Sequence, residues 1–283
     1  MSGLQVSKVL NNNVIIAHHP QHDEVVVIGK GIGFNRKAGD EMPLSSVEKM
    51  FILTNEQEQE QYKQLVPHVE EELIEVINEG ILYVKEHSEL PVNEHIQIAL
   101  TDHIAFAMRR QEQGLVIQNP FLYETREMYP EEFRMGEYML ELIHKKLGVE
   151  LEPDEAGFIA LHIHSALTNQ HITQVKGNSH LIADLVSLVE TSIAYHVPRN
   201  SLDYSRLVTH LRFAIERIRR GESVQENASL EKLLKQEYPQ IYALACELII
   251  LMEERLKESV YAAEACYLTL HLQRLVQKKE QDD

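Results

Sequence analysis

Disulfide-forming capacity is almost absent from this chain. Only Cys246 and Cys266 are cysteine among 283 residues, and both lie in stretches with helical periodicity. Two such thiols cannot frame a small secreted fold, and they read as buried free thiols of a reduced, cytoplasmic compartment. Long apolar runs are missing too. Nothing approaches the roughly 18 residues that signal a membrane span, so no membrane insertion is expected. Met1 to Leu10 lacks a charged start followed by an apolar core, so no secretory signal is expected either. Positive charge is scarce: 27 Lys and Arg face 44 Asp and Glu, a net charge of −17. The deficit is uneven. Residues 1–50 hold five bases and five acids, whereas the remainder holds 22 bases against 39 acids. An acidic body is repelled by phosphate backbones. Any nucleic-acid contact must therefore come from the first 50 residues, through placed groups rather than bulk charge.

What remains is an ordinary soluble composition, 44% apolar and 25% charged, on a chain long enough for two or three domains. Residues 4–53 read as β. Val6, Lys8 and Leu10 alternate with other residues up to Asn11-Asn12-Asn13. Val14-Ile15-Ile16 follows, then a turn at His19-Pro20-Gln21, then Val25-Val26-Val27-Ile28, a glycine-rich stretch from Gly29 to Phe34, and finally Met50 to Leu53. β-Branched runs broken by Asn, Pro and Gly are strand and turn signals. Four short strands predict a small antiparallel sheet with a thin core, which a dimer would help stabilise. The polar run from Asn55 to Gln61 can connect domains. From about residue 62 the period turns helical, with Val69, Leu73, Ile74, Ile77, Ile81 and Leu82 at three- and four-residue steps and Pro67 in the first turn. Helical text then runs to the end, broken near 112–120, 168–179 and 221–229.

The helical part repeats itself. Thr101-Asp-His103-Ile-Ala-Phe-Ala-Met-Arg-Arg110 reappears as Val208-Thr-His210-Leu-Arg-Phe-Ala-Ile-Glu-Arg217. Glu155-Ala-Gly-Phe-Ile-Ala-Leu-His162 reappears as Glu264-Ala-Cys-Tyr-Leu-Thr-Leu-His271, and Tyr129-Pro130 as Tyr238-Pro239. The offset is 107 residues at the first match and 109 at the others. Self-similarity at a fixed period means a duplicated structural unit. The chain is therefore expected to be multidomain, a small all-β antiparallel domain over 1–60 followed by two homologous all-α domains of about five helices over 61–170 and 171–283.

The repeat keeps its histidines. On a helix, residues at i, i+3, i+4 and i+7 share a face. His103 groups with Phe106, Ala107 and Arg110, and His210 with Phe213, Ala214 and Arg217. His162 shares a stripe with Glu155, Phe158 and Ile159, and His271 with Glu264, Tyr267 and Leu268. One helical histidine taken alone is more often a core or interface residue satisfied by a hydrogen bond. Recurrence of both at matched positions favours a use of the imidazoles as nucleophile, base or metal ligand. A metal site needs further ligands. Asp102 beside His103 becomes Thr209 in the second copy, and His162 and His164 point about 200° apart on a helix, so they cannot clamp one ion. The alternative is phosphate acceptance, which adds negative charge and acceptor oxygens that Arg110 or Arg217 could pair with.

These residues resemble the bacterial transcriptional antiterminators of the BglG/SacY type over essentially residues 4–280. Lys8-Val-Leu-Asn-Asn-Asn13-Val14 with Ile28-Gly-Lys-Gly-Ile-Gly-Phe34 resembles their RNA-binding signature. Thr101-Asp-His103 and Leu161-His162 resemble the acceptor histidines of a first phosphotransferase-system regulation domain, and His210 and His271 those of a second. Asn93 to Leu100 and Phe158 to Asn169 look most like the glucose-type members. The resemblance implies an N-terminal co-antiterminator RNA-binding domain that dimerises and grips a leader-RNA hairpin overlapping a terminator, so that polymerase reads through. It implies phosphorylation at His103, His162, His210 and His271. It further implies that a sugar-specific permease, of glucose type by likeness, silences the protein through the first domain, and that the histidine-containing phosphocarrier protein acts on the second. It implies no catalytic turnover, no cofactor and no metal.

RNA contacts follow from the same resemblance. Lys8 is expected to meet phosphate and Asn13 to offer its amide to base edges. Gly29 and Lys30 let backbone and charge approach closely, and Phe34 offers a ring for base stacking. Taken alone, Asn11 to Asn13 could be a plain turn, Gly29 to Gly33 a bulge, and Phe34 a core residue. Two other function classes stay open: a DNA-binding activator carrying the same histidine domains, against which no recognition helix is expected before residue 56, and a metal-dependent hydrolase using the four histidines.

Overall fold

The computed structural model of the chain describes residues 3–21, 23–47, 49–51, 56–222 and 228–282. His22, Ile52 and Leu53 of the last expected strand, Asn55 at the head of the polar run, and most of the 221–229 break lie outside the described residues.

Strands β1 (Leu4–Val9), β2 (Val14–His19), β3 (Asp23–Ile28), β4 (Glu41–Met42) and β5 (Lys49–Phe51) form one antiparallel sheet in the order β4-β1-β2-β3-β5. One more strand is present than the sequence led us to expect, because β4 has two residues and carries no pattern of its own. Strands β2 and β3 pair without interruption from Val14 opposite Ile28 to His19 opposite Asp23. Between β1 and β2 the register shifts across Ser7, so Val6 faces Ala17 while Lys8 faces Ile16. A bulge of this kind reverses the alternation. Val6 and Val9 thereby turn to one face and Lys8 to the other, where it is exposed. Simple alternation would have put Lys8 on the same face as Val6.

After the sheet come α1 (Glu56–Leu65), a 3-10 turn at Val66–His68, and α2 (Glu71–His87). Pro67 lies in that turn rather than in the first turn of α2. Leu82, assigned by periodicity to the apolar stripe, is exposed, and Val84 takes a place on the buried face instead. One face of the sheet, Val14, Ile16, Val26 and Ile28, joins the same core as Tyr62, Val66, Leu73 and Ile77. The other face, Ile15, Ala17, Val25 and Val27, packs on Leu4, Val6, Ile32 and Met42. Both faces of β2 and β3 are thus covered within this chain. That is why their apolar residues run continuously instead of alternating.

The remaining helices are α3 (Ile96–Glu112), α4 (Leu122–Met128), α5 (Pro130–Leu147), α6 (Glu155–Thr168), α7 (Ile172–Ile193), α8 (Leu202–Arg220), α9 (Ala228–Glu237), α10 (Pro239–Leu256) and α11 (Ala263–Asp282). The repeat pairs α3 with α8, α5 with α10, and α6 with α11, so each copy supplies five helices, α2–α6 and α7–α11. The break expected over 168–179 shrinks to residues 169–171. Val175, Ser179 and Ile182 form a buried stripe at helical spacing, and this carries α7 through Lys176-Gly177-Asn178. A helix tolerates one glycine at a cost of about 1 kcal/mol.

The chain divides into two compact units, residues 1–119 with 131–172, and residues 120–130 with 173–283. The first holds the sheet, α1–α3, α5 and α6. The second holds α4 and α7–α11. Helix α4 docks on α8 through polar contacts. The buried Tyr204 hydroxyl donates to the buried Glu124 at 2.6 Å, and Arg212 donates to the Met128 carbonyl at 2.7 Å. Burial, and then the bond to Glu124, push the Tyr204 phenol well above its usual range. Cys246 is half-buried and Cys266 buried, both as free thiols. Among the described residues no helix is long and apolar enough to cross a membrane.

Candidate functional site

The first histidine pair is set by α3 and α6. Leu100, Ile104 and Ala107 bury one side of α3, and Ile159 and Ile163 bury one side of α6. His103 and His162 are left half-buried beside each other, with ring centroids 5.1 Å apart and planes inclined by 39°. The Phe158 ring lies 5.8 Å from His103. His103 Nε2 is 2.9 Å from Glu155 Oε2, and Arg110 Nη2 donates to Glu155 Oε1 at 2.7 Å. Glu155 is only 5% exposed, and His103 and Arg110 between them engage both oxygens of this buried carboxylate. His164 turns away to α5, where its Nδ1 lies 2.8 Å from Glu132. The two residues His162 and His164 therefore serve different neighbours, as their spacing requires.

The second pair repeats the layout with different chemistry. His210 of α8 and His271 of α11 stack with centroids 3.3 Å apart and planes 22° apart. Glu264, 2% exposed, gives both oxygens to Arg217, at 2.8 Å to Nε and 2.6 Å to Nη2. Burial, then Arg217 and Arg206, hold the His210 imidazole below its ordinary value. Burial, then His210 and Arg274, bring His271 down to about 4. Both shifts favour the neutral ring, which keeps a nitrogen lone pair for nucleophilic attack. In both copies the recurring arginine, expected from spacing to face added phosphate, is instead committed to a glutamate.

Among the described residues no cluster of three or more His, Cys, Asp or Glu side chains could hold a metal ion.

The third constellation is a pair of loops at one end of the sheet. Asn11 Oδ1 accepts from the backbone N–H of Asn13 and of Val14, at 3.0 and 2.8 Å, which makes Asn11 the turn-former. Asn13 Oδ1 accepts from the N–H of Gly31 at 2.6 Å, and its carbonyl accepts from Gly29 N–H at 3.0 Å. Gly31 has φ of +67°, a left-handed conformation that favours glycine. Gly33 donates to the Asn12 carbonyl at 2.7 Å, and a Cβ there would run into the carbonyl oxygen of Asn11. The glycine spacing thus lets two backbones touch. Phe34 stands outside the core with 65% exposure, and Lys8 and Lys30 are exposed. Lys8, Asn13, Gly29, Lys30 and Phe34 all belong to these loops or to the strand that leads into them. Two residues missed in the sequence also reach this place. Glu71 of α2 accepts from Asn12 N–H at 2.9 Å, and Glu75, one turn on, accepts from Asn13 Nδ2 at 2.8 Å. Their four-residue spacing on an acidic helix face was the only signal available.

Residues 4–60 match the CAT RNA binding domain family, and residues 78–166 and 183–275 each match the PRD domain family. The PtsGHI operon antiterminator of Bacillus subtilis strain 168 is 53% identical over 273 residues, covering 96% of this chain and 97% of the relative. The GlcA/glcB genes antiterminator of Staphylococcus carnosus strain TM300 is 37% identical, covering 100% of this chain and 99% of the relative. A solved structure described as the crystal structure of GlcT CAT-PRDI superposes with a TM-score of 0.54 at 51% identity, over 59% of this chain and 99% of that one. An RNA-binding β-sheet domain followed by twinned helical regulation domains, matched nearly end to end, makes this chain a member of the PRD-containing transcription antiterminators, regulatory proteins rather than enzymes.

Proposed function

We propose that the chain divides functionally into a co-antiterminator RNA-binding domain over 1–60 and two regulation domains over 61–170 and 171–283. As a dimer the first domain grips a leader-RNA hairpin and keeps the overlapping terminator from forming. Lys8 meets phosphate, Asn13 reads a base edge, Gly29 and Lys30 permit close approach, and Phe34 stacks on an unpaired base. His103 and His162 accept phosphate from a sugar permease, with glucose supported by likeness to the GlcA/glcB antiterminator. His210 and His271 accept it from the histidine-containing phosphocarrier protein. All of this takes place in the cytoplasm, where those donors work.

The observation that carries this reading is the meeting of two imidazoles in each repeat, from helices more than 50 residues apart in sequence, at 5.1 and 3.3 Å between rings. A packing role for single histidines would not require the same meeting twice. The exposed ring of Phe34, beside the tightly joined Asn and Gly loops, supports the RNA-binding half.

The test is phosphate incorporation from phosphoenolpyruvate through the transfer proteins, using the full chain. Labelling at the first pair is expected to disappear in His103→Ala/His162→Ala and to persist at His210 or His271. Undiminished labelling of that variant would remove the first domain's assigned role. A gel-shift titration with a leader hairpin tests the other half, with Phe34→Ala expected to weaken binding by about 1–3 kcal/mol, the usual worth of one stacked base.

A further inference from the structure

The two histidine pairs differ in what surrounds them. Arg206 sits one turn before His210 on α8, and Arg274 three residues after His271 on α11, so each shares its histidine's helix face. Both arginines, both imidazoles, Leu207 and Asp203 line a cavity of about 130 Å³, several times the ~30 Å³ share of one water. The groove runs on past Arg206 and Arg274 to Gln277 and Lys278. Asp203, the single acid among these lining residues, lies 3.6 Å from Arg206. The first repeat is built otherwise. Its matched positions hold Ala99 in place of Arg206 and Ser165 in place of Arg274, and its His103 leans on the carboxylate of Glu155. Arg110 and Arg217 cannot supply the difference, since each is already bonded to a buried glutamate.

We propose that Arg206 and Arg274 are positioning residues forming a cradle for a phosphoryl group on His210 or His271, which the matched Ala99 and Ser165 of the first repeat cannot form. Negative charge added to the second repeat is then taken up within it, whereas the matched positions of the first repeat, Ala99 and Ser165, bring no guanidinium to charge added at His103 or His162. This rests on the histidine-phosphorylation reading given above. The low proton affinity of both rings fits the same site: it keeps an imidazole nitrogen free to attack phosphorus in a cation-rich groove.

A small donor tests the cradle without any partner protein. With phosphoramidate, a neutral imidazole nitrogen attacks phosphorus, the bond from phosphorus to the amine breaks, and the ring N–H proton leaves with the amine as ammonium. The full chain is labelled in two backgrounds, His103→Ala/His162→Ala to isolate the second pair and His210→Ala/His271→Ala to isolate the first. The phosphorus-31 resonance is then titrated. A facing cation favours the dianion. The second-pair phosphoimidazole is expected to ionise about one pH unit or more below the first-pair group. Arg206→Ala/Arg274→Ala should erase that gap, Arg206→Lys/Arg274→Lys should keep most of it, and Ala99→Arg/Ser165→Arg should lower the first-pair midpoint. Arg206 and Arg274 are both exposed, so the variants are expected to melt as the parent does. Equal midpoints with and without the arginines overturn the cradle and leave phosphorylation standing. So does saturable binding of inorganic phosphate to His210→Ala/His271→Ala with no such gap, which would mark a free-anion site. Absence of label at His210 and His271 from either phosphoramidate or the phosphocarrier protein overturns the phosphorylation reading of this pair, and the cradle with it.

Discussion

The titration of His271 has a consequence for stability. Its folded value near 4 lies below the ordinary 6.5, so between those pH values the unfolded chain binds a proton that the folded chain does not. Stability contributed by the neutral ring is complete above about pH 6.5 and falls as pH drops toward 4. Thermal melting of the full chain should show the transition of the second unit moving down over that window. His271→Gln should flatten the dependence, and an unchanged slope would contradict the assignment. Gly33 makes a second prediction at this scale. Gly33→Ala forces the Asn11–Asn13 and Gly29–Phe34 loops apart and should cost about 1–3 kcal/mol, measured by denaturant unfolding. The sequence displayed the paired histidines because each recurs, and recurrence survives when contacts are unknown. It could not display which partner each arginine chooses. Arg110 and Arg217 stand a helix turn or two from their histidines, but the choice of Glu155 and Glu264 depends on the packing of α3 on α6 and of α8 on α11.

Elements carry their own predictions. Helix α2 places Glu71 and Glu75 on the Asn12–Asn13 loop, so two carboxylates occupy the place where Asn13 is proposed to read a base edge of the RNA. Polyanion binding there must displace or tolerate them. Glu71→Gln/Glu75→Gln should strengthen hairpin binding by the full chain about threefold or more at low salt, with the gain shrinking as salt rises. A gel-shift series across ionic strength checks this, and equal affinities at every salt would contradict it. Helix α4 makes a different point. Tyr204→Phe strands a buried Glu124 oxygen and should lower the stability of the second unit by about 1–3 kcal/mol, visible as an earlier melting transition. Some of this was legible beforehand. Period and punctuation located the helices and most strands, because the buried stripe of a helix must recur every three or four residues. Three features were not legible. The bulge at Ser7 leaves no composition signal. Strand β4 is too short to have a pattern. The polar text around Lys176-Gly177-Asn178 hides a helix whose buried stripe is Val175, Ser179 and Ile182. The continuous runs Val14–Ala17 and Val25–Ile28 did hold the information that both sheet faces are covered, which a strictly one-sided sheet would not produce.

At the scale of the whole molecule, the charge asymmetry of the sequence becomes a division of labour. The balanced first 50 residues carry the exposed Lys8, Lys30 and Phe34, while the acidic remainder carries the four histidines. Adding phosphate to an already acidic body increases repulsion from RNA unless local cations absorb it. The first pair sits on a glutamate and the second in an arginine-lined groove, so equal modifications should have unequal effects. The most direct measurement compares hairpin affinity of the full chain before and after permease-dependent phosphorylation, in the wild type and in His103→Ala/His162→Ala. The account predicts a loss of about tenfold or more in the wild type and none in the variant, an effect of roughly 1.4 kcal/mol. Equal affinity of the phosphorylated and unphosphorylated wild type, or an undiminished loss in the variant, would contradict it.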